Sequence, residues 1–428
     1  MRGTGRLQSG ASSHARLVLM MNETTSGMYE IRESVDAAPI RTWLPPAEIE
    51  PAAMQQLRNA AAHPEVGAAV AVMPDCHVGF GVTIGCVFPT LDSVIPNAVG
   101  VDIGCGMCAV NTGVPLDRGR MDKGFWRKWM GQVQRNVPTG FGAHKSPQEM
   151  GDLDRPLRAT SLQKLLTDKA RYQIGTLGGG NHFMEAQVDQ DGAIWLMVHS
   201  GSRHTGLRIA DLYNRAAISS SEQRDLPVGR DLASLRIDEQ LGQDYLADME
   251  WATDFALENR LRMIQAMVEA FADQLDRLRT KQGVGDVSVI NIHHNFARLE
   301  EHAGRPTMVH RKGATSAEVG QIGIIPGSMG SPSYIVRGKG NELSFNSCSH
   351  GAGRRMSRTA ARNAVTPSAF EASLKGTFSQ PSMGYADEAP QAYKNIATVI
   401  GRQPDLVDIL HELRPIITIK GDSRAKDD

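Results

Sequence analysis

Five residues of metal-binding type fall at the ends of apolar runs or beside glycines. Asp102 and Cys105 are three apart in Gly100-Val101-Asp102-Ile103-Gly104-Cys105-Gly106. His182 follows Gly178-Gly179-Gly180-Asn181, and His199 and His294 each close an apolar run. One carboxylate, one thiolate and three imidazoles form a borderline donor set. It suits Mn, Co, Zn or Fe and is too soft for an all-oxygen Ca or Mg cage. Singly, each residue has a plainer explanation, since free cysteine packs as a small apolar side chain. Together they favour a metal centre. Cys105 and Cys108 form a CxxC, but no second CxxC exists, so zinc-finger and thioredoxin readings are weak. Cys76, Cys86 and Cys108 read as packing residues, and His77 as a neighbour of the site.

A second constellation is Cys348-Ser349-His350-Gly351-Ala352-Gly353-Arg354. Glycine N–H groups there can cradle an anion, and Arg354 can neutralise it. A third is Pro326-Gly327-Ser328-Met329-Gly330, followed by Ser331, Ser333 and Tyr334. Gly/Ser loops are mostly turns, but two of them beside a metal set point to phosphoryl or nucleotidyl transfer.

Short strands must position these groups. Residues 68–72 (AAVAV), 82–88 (VTIGCVF) and 98–103 (AVGVDI) read as strands, as do 194–198 (IWLMV), just before His199, and 287–292 (VSVINI), just before His293 and His294. Residues 320–330, 334–336 and 342–348 read as β-like segments between Gly and Ser turns. Residues 118–169 read as peripheral loops and helices. One long helix is predicted over 243–281, with Leu246, Met249, Phe255, Leu261, Ile264, Val268, Phe271, Leu275 and Leu278 on its apolar face. Residues 391–400 and 405–413 read as helices and 416–420 as a last strand. No linker is visible between residues 30 and 421. The expected fold is α+β, a single large domain with a mixed β core surrounded by helices.

Composition narrows the class. The 428 residues carry 46 Lys+Arg and 47 Asp+Glu, so a globally basic nucleic-acid binder is excluded but a local patch is not. Hydrophobic residues are 41% and charged residues 22%, a globular balance. No apolar run reaches the length of a membrane span. An odd cysteine count of 5 without a secretion signal fits a reducing, cytoplasmic setting. Residues 1–25 read as a flexible extension, 26–421 as the catalytic domain and 422–428 as a polar tail.

At this level of detail the chain resembles the RtcB RNA-splicing ligases, which are GTP- and manganese-dependent. The resemblance runs from about Met28 to Gly421. It rests on Met73-Pro74-Asp75-Cys76-His77, residues 97–107, 175–183 and 199–203, His293-His294-Asn295, Arg311-Lys312-Gly313-Ala314, residues 323–330 and 348–358, and Lys420-Gly421. It implies that Asp102, Cys105 and His182 hold one Mn(II), and that Cys105 also bridges to a second held with His199 and His294. It makes His350 the nucleophile that becomes guanylylated by GTP. It places Asn181, His182, Phe183, Met184, Glu185, His294, Asn295, Pro326, Gly327, Ser328, Met329, Ser333, Gly351, Ala352, Gly353, Tyr393 and Lys420 around the guanylate. Arg203 and Arg354 would meet RNA or its phosphate, with Arg311 and Lys312 as outer members of the patch.

The implied reaction joins RNA 2′,3′-cyclic phosphate or 3′-phosphate ends to 5′-hydroxyl ends, in tRNA splicing or RNA repair. An archease-like activator would be a partner. Three features depart from the family pattern: Gly179, the His204-Thr205 pair after Arg203, and the tail beyond Lys420-Gly421. His204 reads as a spare imidazole rather than a ligand. The rival readings are a metal-dependent phosphoesterase or cyclic phosphodiesterase that does not use His350, and a non-catalytic RNA-binding factor.

Overall fold

A computed structural model describes residues 20–23, 27–278, 288–379 and 382–421. Two seven-stranded sheets organise them. The first runs, edge to edge, through Met20–Glu23, Tyr29–Arg32, Ile40–Thr42, Val70–His77, Ile84–Thr90, Arg305–Lys312 and Asn295–His302. Its one parallel pair joins Ile40–Thr42 to Val70–His77. The second runs through Val289–His293, Gly106–Pro115, Ala193–Ser200, Phe183–Val188, Val407–Lys420, Ser333–Gly338 and Ile322–Ile325, all antiparallel.

The register of the second sheet sets up the site. His293 lies opposite Gly106, Gly106 opposite Ser200, His199 opposite Phe183, and Phe183 opposite Lys420. One end of five adjacent strands therefore carries Cys105, His182, His199, His294 and Lys420 or their immediate neighbours. A one-residue slip would turn every one of these side chains to the other face. His294 lies between Val289–His293 of the second sheet and Asn295–His302 of the first. The chemistry collects where the two sheets meet.

The long helix Gln240–Arg277 covers the second sheet with its apolar face. Against it packs the helix Lys123–Asn136, whose Trp126 stacks on Phe271 at 6.0 Å between ring centroids. Trp126 and Trp129 are fully buried, so this segment belongs to the core and not, as its polarity suggested, to the periphery. Truncating either ring would cost about 3–5 kcal/mol.

Other departures have local causes. Residues 98–103 are not a strand: Pro96–Val99 is one helical turn opened by Pro96, and Asp102 lies in the turn that follows. Pro supplies the helical φ at a first turn without forfeiting a needed N–H. Within 342–348, Glu342–Ser344 is a 3-10 turn capped by Asn341, and only Ser347–Ser349 is extended. Helix Ile396–Gly401 is shorter than expected. Residues 405–413 are not helical, because Val407–Lys420 is one long strand. Bulges near its partner residues Ile335/Val336 and at Pro415/Ile417 break the strict alternation, so the segment imitates a helical period. Leu261 departs from the expected stripe and is 37% exposed. The 422–428 tail and most of the 1–25 extension lie outside the described residues, although Met20–Glu23 pairs with Tyr29–Arg32. Among the described residues no helix is long and apolar enough to cross a membrane. All five cysteines are free and buried.

Candidate active site

The metal-type residues form one continuous row. His182 Nε2 lies 3.0 Å from Asp102 Oδ2 and 3.5 Å from Cys105 Sγ. Cys105 Sγ lies 3.3 Å from His199 Nε2, which is 3.3 Å from His294 Nε2. Asp102–Cys105–His182 and Cys105–His199–His294 are thus two adjoining clusters that share the sulfur. Except for Asp102, every member is buried.

The outer nitrogens decide what this row can hold. His182 Nδ1 faces the Leu177 carbonyl at 3.0 Å, and His199 Nδ1 faces that of Asn181 at 3.3 Å. A nitrogen facing a carbonyl carries the hydrogen, so it is the Nε2 atom of each ring that is turned inward for ligation. Those atoms point at a carboxylate, a sulfur and another imidazole, an arrangement that only a cation or shared proton relieves. Burial pushes the pKa of His199 and His294 well below the ordinary imidazole value, which keeps both neutral and able to ligate. The residues therefore fit a metal centre.

Arg260 on the long helix holds the row in place. Its guanidinium donates to the carbonyls of Gly104 and Ser200 at 2.8 and 2.9 Å, to Asn291 Oδ1 at 2.7 Å, and meets His293 Nδ1 at 3.2 Å. One buried side chain thereby ties the segments bearing Cys105, His199 and His294. Sequence reading passed over it, because its partners are distant in the chain.

His350 stands next in the row, its ring centroid 4.9 Å from that of His294. Its Nδ1 donates to Asp75 Oδ2 at 2.6 Å, and the same oxygen accepts the N–H of His350 and Gly351 at 3.1 and 3.3 Å. Burial opposes ionisation of Asp75, but the charge and hydrogen bond of His350 outweigh it and the pKa falls. This bond fixes the ring with Nε2 as the free lone pair. Gly353 makes the approach possible: with φ +70°, a Cβ there would lie 2.0 Å from the Asp75 carbonyl oxygen. Asp75 had no role assigned from sequence; a carboxylate inside the short apolar-led strand Val70–His77, all of it buried, was the signal.

A cavity of about 250 Å³ opens beside His350. Asn181, Phe183, Glu185, Pro326, Gly327, Ser328, Met329, Gly351, Ala352, Gly353, Tyr393 and Lys420, all expected around a guanylate, line this cavity. The other residues of that expectation are placed differently. Met184 points away into the core cluster that also holds Trp126 and Trp129, as strand alternation requires. Asn295 braces the metal turn, donating to the Asp102 carbonyl at 3.1 Å and accepting from Gly313 N at 2.9 Å. Ser333 Oγ accepts from Gly327 N at 3.2 Å and so shapes the Pro326–Met329 loop from behind. His182 and His294 belong to the metal row.

One wall of the cavity is a buried charge cluster. Glu388 Oε2 accepts from Tyr393 Oη at 2.6 Å and faces Lys420 Nζ at 3.4 Å, while Oε1 meets Arg358 at 2.6 Å and Arg354 at 3.2 Å. Burial works against this carboxylate, yet the surrounding cations bring its pKa to about 2. Arg354 lies over the Tyr393 ring at 4.9 Å, so its charge is already engaged inside the wall. Glu185 differs. Burial raises its pKa to about 7 despite hydrogen bonds from Thr418 and Gln187.

Two expectations about the basic patch fail. Arg311 is fully buried and holds Glu300 in a two-pronged ion pair, and Lys312 is buried, donating to the carbonyls of Phe80 and Asn97. Both are internal struts. Arg203 does lie at the site. It opens the helix Arg203–Gln223 in the left-handed region at φ +57°, and its guanidinium covers Gly178, where a Cβ would lie 1.9 Å from it. His204 lines a separate cavity beside Arg203, at the Asp102 end of the row, and is absent from both clusters of the row.

The family model for the tRNA-splicing ligase RtcB matches residues 56–161 and 149–421. The chain belongs to the RtcB family. The RNA-splicing ligase RtcB of Escherichia coli (strain K12) is 37% identical over 416 residues, covering 91% of this chain and 98% of that protein. The tRNA-splicing ligase RtcB of Archaeoglobus fulgidus is 31% identical over 455 residues, covering 87% and 92%. The RNA-splicing ligase RtcB of Mycobacterium tuberculosis is 31% identical over 442 residues, covering 86% and 100%. RtcB membership thus agrees with the resemblance read from the motifs, and the RtcB match takes in every residue of the row from Asp102 to His350.

Proposed function

We propose that the chain is a GTP-dependent RNA ligase that joins a 3′-phosphate or 2′,3′-cyclic phosphate end to a 5′-hydroxyl end. The observation that carries this reading is the placement of His350. Its Nδ1 is held by Asp75, and its Nε2 is left free beside both the cavity and the two clusters that share Cys105. Family membership and the names of the relatives support it. On the same grounds the two clusters would hold two Mn(II) ions. Bound there, the metals would neutralise phosphate oxygens and so make phosphorus attackable by a neutral imidazole.

The protein's own groups then perform distinct tasks. His350 Nε2 attacks the α-phosphorus of GTP; the N–P bond forms, the P–O bond breaks and pyrophosphate leaves. Asp75 holds the opposite nitrogen and stabilises the positive charge that the ring acquires. An oxygen of the RNA 3′-phosphate next attacks the same phosphorus, breaking the N–P bond and giving RNA(3′)pp(5′)G. The 5′-hydroxyl of the second end finally attacks the RNA phosphorus, loses its proton, and GMP departs. A cyclic end must first be hydrolysed to the 3′-phosphate. Incubation with GTP and Mn(II), then mass analysis, tests the reading. A GMP adduct on His350 is expected. RNA end processing without any adduct would favour the phosphoesterase instead.

Glu185 and Lys420 offer an acceptor and a donor for a guanine edge. The guanine N1–H and amino group need an ionised carboxylate, and Glu185 gives up its proton near pH 7. Its pKa is raised, so the accepting form is lost as pH falls. GTP affinity should therefore strengthen from pH 6 to 8 and level off above, and Glu185→Gln should bind weakly with little pH dependence. Calorimetric titration checks this. A wild-type affinity that is flat across the interval would contradict the assignment.

Arg203, buried at the Asp102 end of the row, is assigned here to the RNA path. Arg203→Ala should slow RNA joining by about ten-fold or more while GTP loading changes little, and the deficit should grow with salt, as for a phosphate contact. Single-turnover rates for the two steps separate these outcomes; equal loss in both would remove Arg203 from the RNA path.

A further inference from the structure

A second cavity, of about 340 Å³, opens at the Asp102 end of the ligand row, the end opposite His350. Three unusual features converge on it. Phe141 is 57% exposed at its rim, with Val101, 47% exposed, lining the same space. Lys169 reaches it from the π-turn Leu166–Ala170, a helical irregularity that recurs at functional sites. Arg203 enters it from its left-handed position.

Phe141 is not a loose surface ring. The N–H of the preceding Gly140 donates to the Gly178 carbonyl at 2.8 Å, and Leu177 N donates to the Pro138 carbonyl at 2.9 Å. The turn is thus clipped to the segment that bears Asn181 and His182. The backbone that carries Phe141 is thereby held near the row. The buried Arg203, the half-buried Asp102, the exposed Lys169 and the exposed Phe141 all line this one cavity, so cations and an aromatic ring share its walls. A nucleotide has the matching parts, an anionic sugar-phosphate and a flat apolar base.

We propose that this cavity takes the terminal nucleotide of a single-stranded RNA end, its base stacked on Phe141 and its phosphate met by Lys169 and Arg203. The proposal rests on the ligase reading and assigns Phe141 and Lys169 to the RNA site. Stacking on an aromatic side chain tolerates any base, which suits an enzyme that must accept broken ends of varied sequence.

Short single-stranded RNAs with 2-aminopurine as the terminal base test it, one with a 5′-hydroxyl end and one with a 3′-phosphate end. Stacking quenches this base. The wild-type protein should quench one probe, and that probe identifies the end that the cavity holds. Phe141→Leu should lose the quenching and bind that RNA about ten-fold more weakly. Phe141→Trp should restore both, which a merely structural role would not predict. Lys169→Ala should lower the salt dependence of binding by about one phosphate contact. Equal quenching by wild type and Phe141→Leu, or no quenching of either RNA by a wild-type protein that joins ends, overturns the proposal and leaves the ligase reading standing. Failure of the wild type to join any ends overturns the ligase reading, and quenching that depends on Phe141 would still be measurable.

Discussion

Replacing Cys105 by Ala should remove both metal ions at once. The sulfur lies 3.5 Å from His182 Nε2 and 3.3 Å from His199 Nε2, so it belongs to both clusters. Without it one site keeps Asp102 and His182 and the other keeps His199 and His294. Two ligands do not hold an exchangeable divalent ion against water, because structural and catalytic sites use three or four protein ligands. The two controls behave differently. His182→Ala should lose the ion on the Asp102 side, and His294→Ala the ion beside His350. Metal content after dialysis against Mn(II) and gel filtration reads all three variants. The fold should survive, since removing one buried sulfur leaves a small cavity worth roughly 1–2 kcal/mol. Guanylylation should be abolished, and Mg(II), which prefers all-oxygen octahedra, should not replace Mn(II). Retention of two ions by Cys105→Ala would refute the shared sulfur.

The contrast between Cys105 and Arg260 shows what the sequence disclosed. Cys105, His182, His199 and His294 were legible because polar, metal-competent residues interrupt apolar strand patterns, and such interruptions are rare without a partner. Asp102 was legible by its three-residue spacing from Cys105, although the strand assigned before it is a helical turn. Arg260 has no comparable signal. An arginine on an amphipathic helix normally faces water, and only the tertiary arrangement shows that it is fully buried and bonded to segments 31 to 156 residues away.

Glu388 was missed for the same reason. Its four polar partners come from positions 354, 358, 393 and 420. Arg354, read as a phosphate contact from its place after Gly353, lines the cavity and is at the same time bound into that cluster. Arg311 and Lys312 show the reverse error. Consecutive cations suggested an exposed patch, yet their strand Arg305–Lys312 lies inside the first sheet, and each cation has buried acceptors. The fold class was legible from the strand and helix periods. Residues 416–420 were legible as a strand, but 407–413 were not, because the bulges gave that half of Val407–Lys420 a helical spacing.

Substituting His350 should separate the covalent step from the sealing step. His350→Ala removes Nε2, the lone pair freed by the bond to Asp75, so no GMP adduct should form and unactivated RNA ends should not be joined. The metal row does not include His350, so Mn(II) content should match the wild type. Asp75→Asn provides the partner experiment. It keeps the size of the side chain but removes the charge that stabilises the ring when Nε2 bonds to phosphorus. Its guanylylation rate should fall by about two to four orders of magnitude, as happens when an orienting carboxylate behind a catalytic histidine is neutralised. Both variants then receive RNA that already carries RNA(3′)pp(5′)G. The histidine's covalent work is complete in that substrate, so both should seal it with the same metal requirement as the wild type. Joining of unactivated ends by His350→Ala at the wild-type rate would move the guanylate to another residue. Inability of His350→Ala to seal pre-activated RNA, with its metals in place, would assign the ring a further role in positioning the departing GMP.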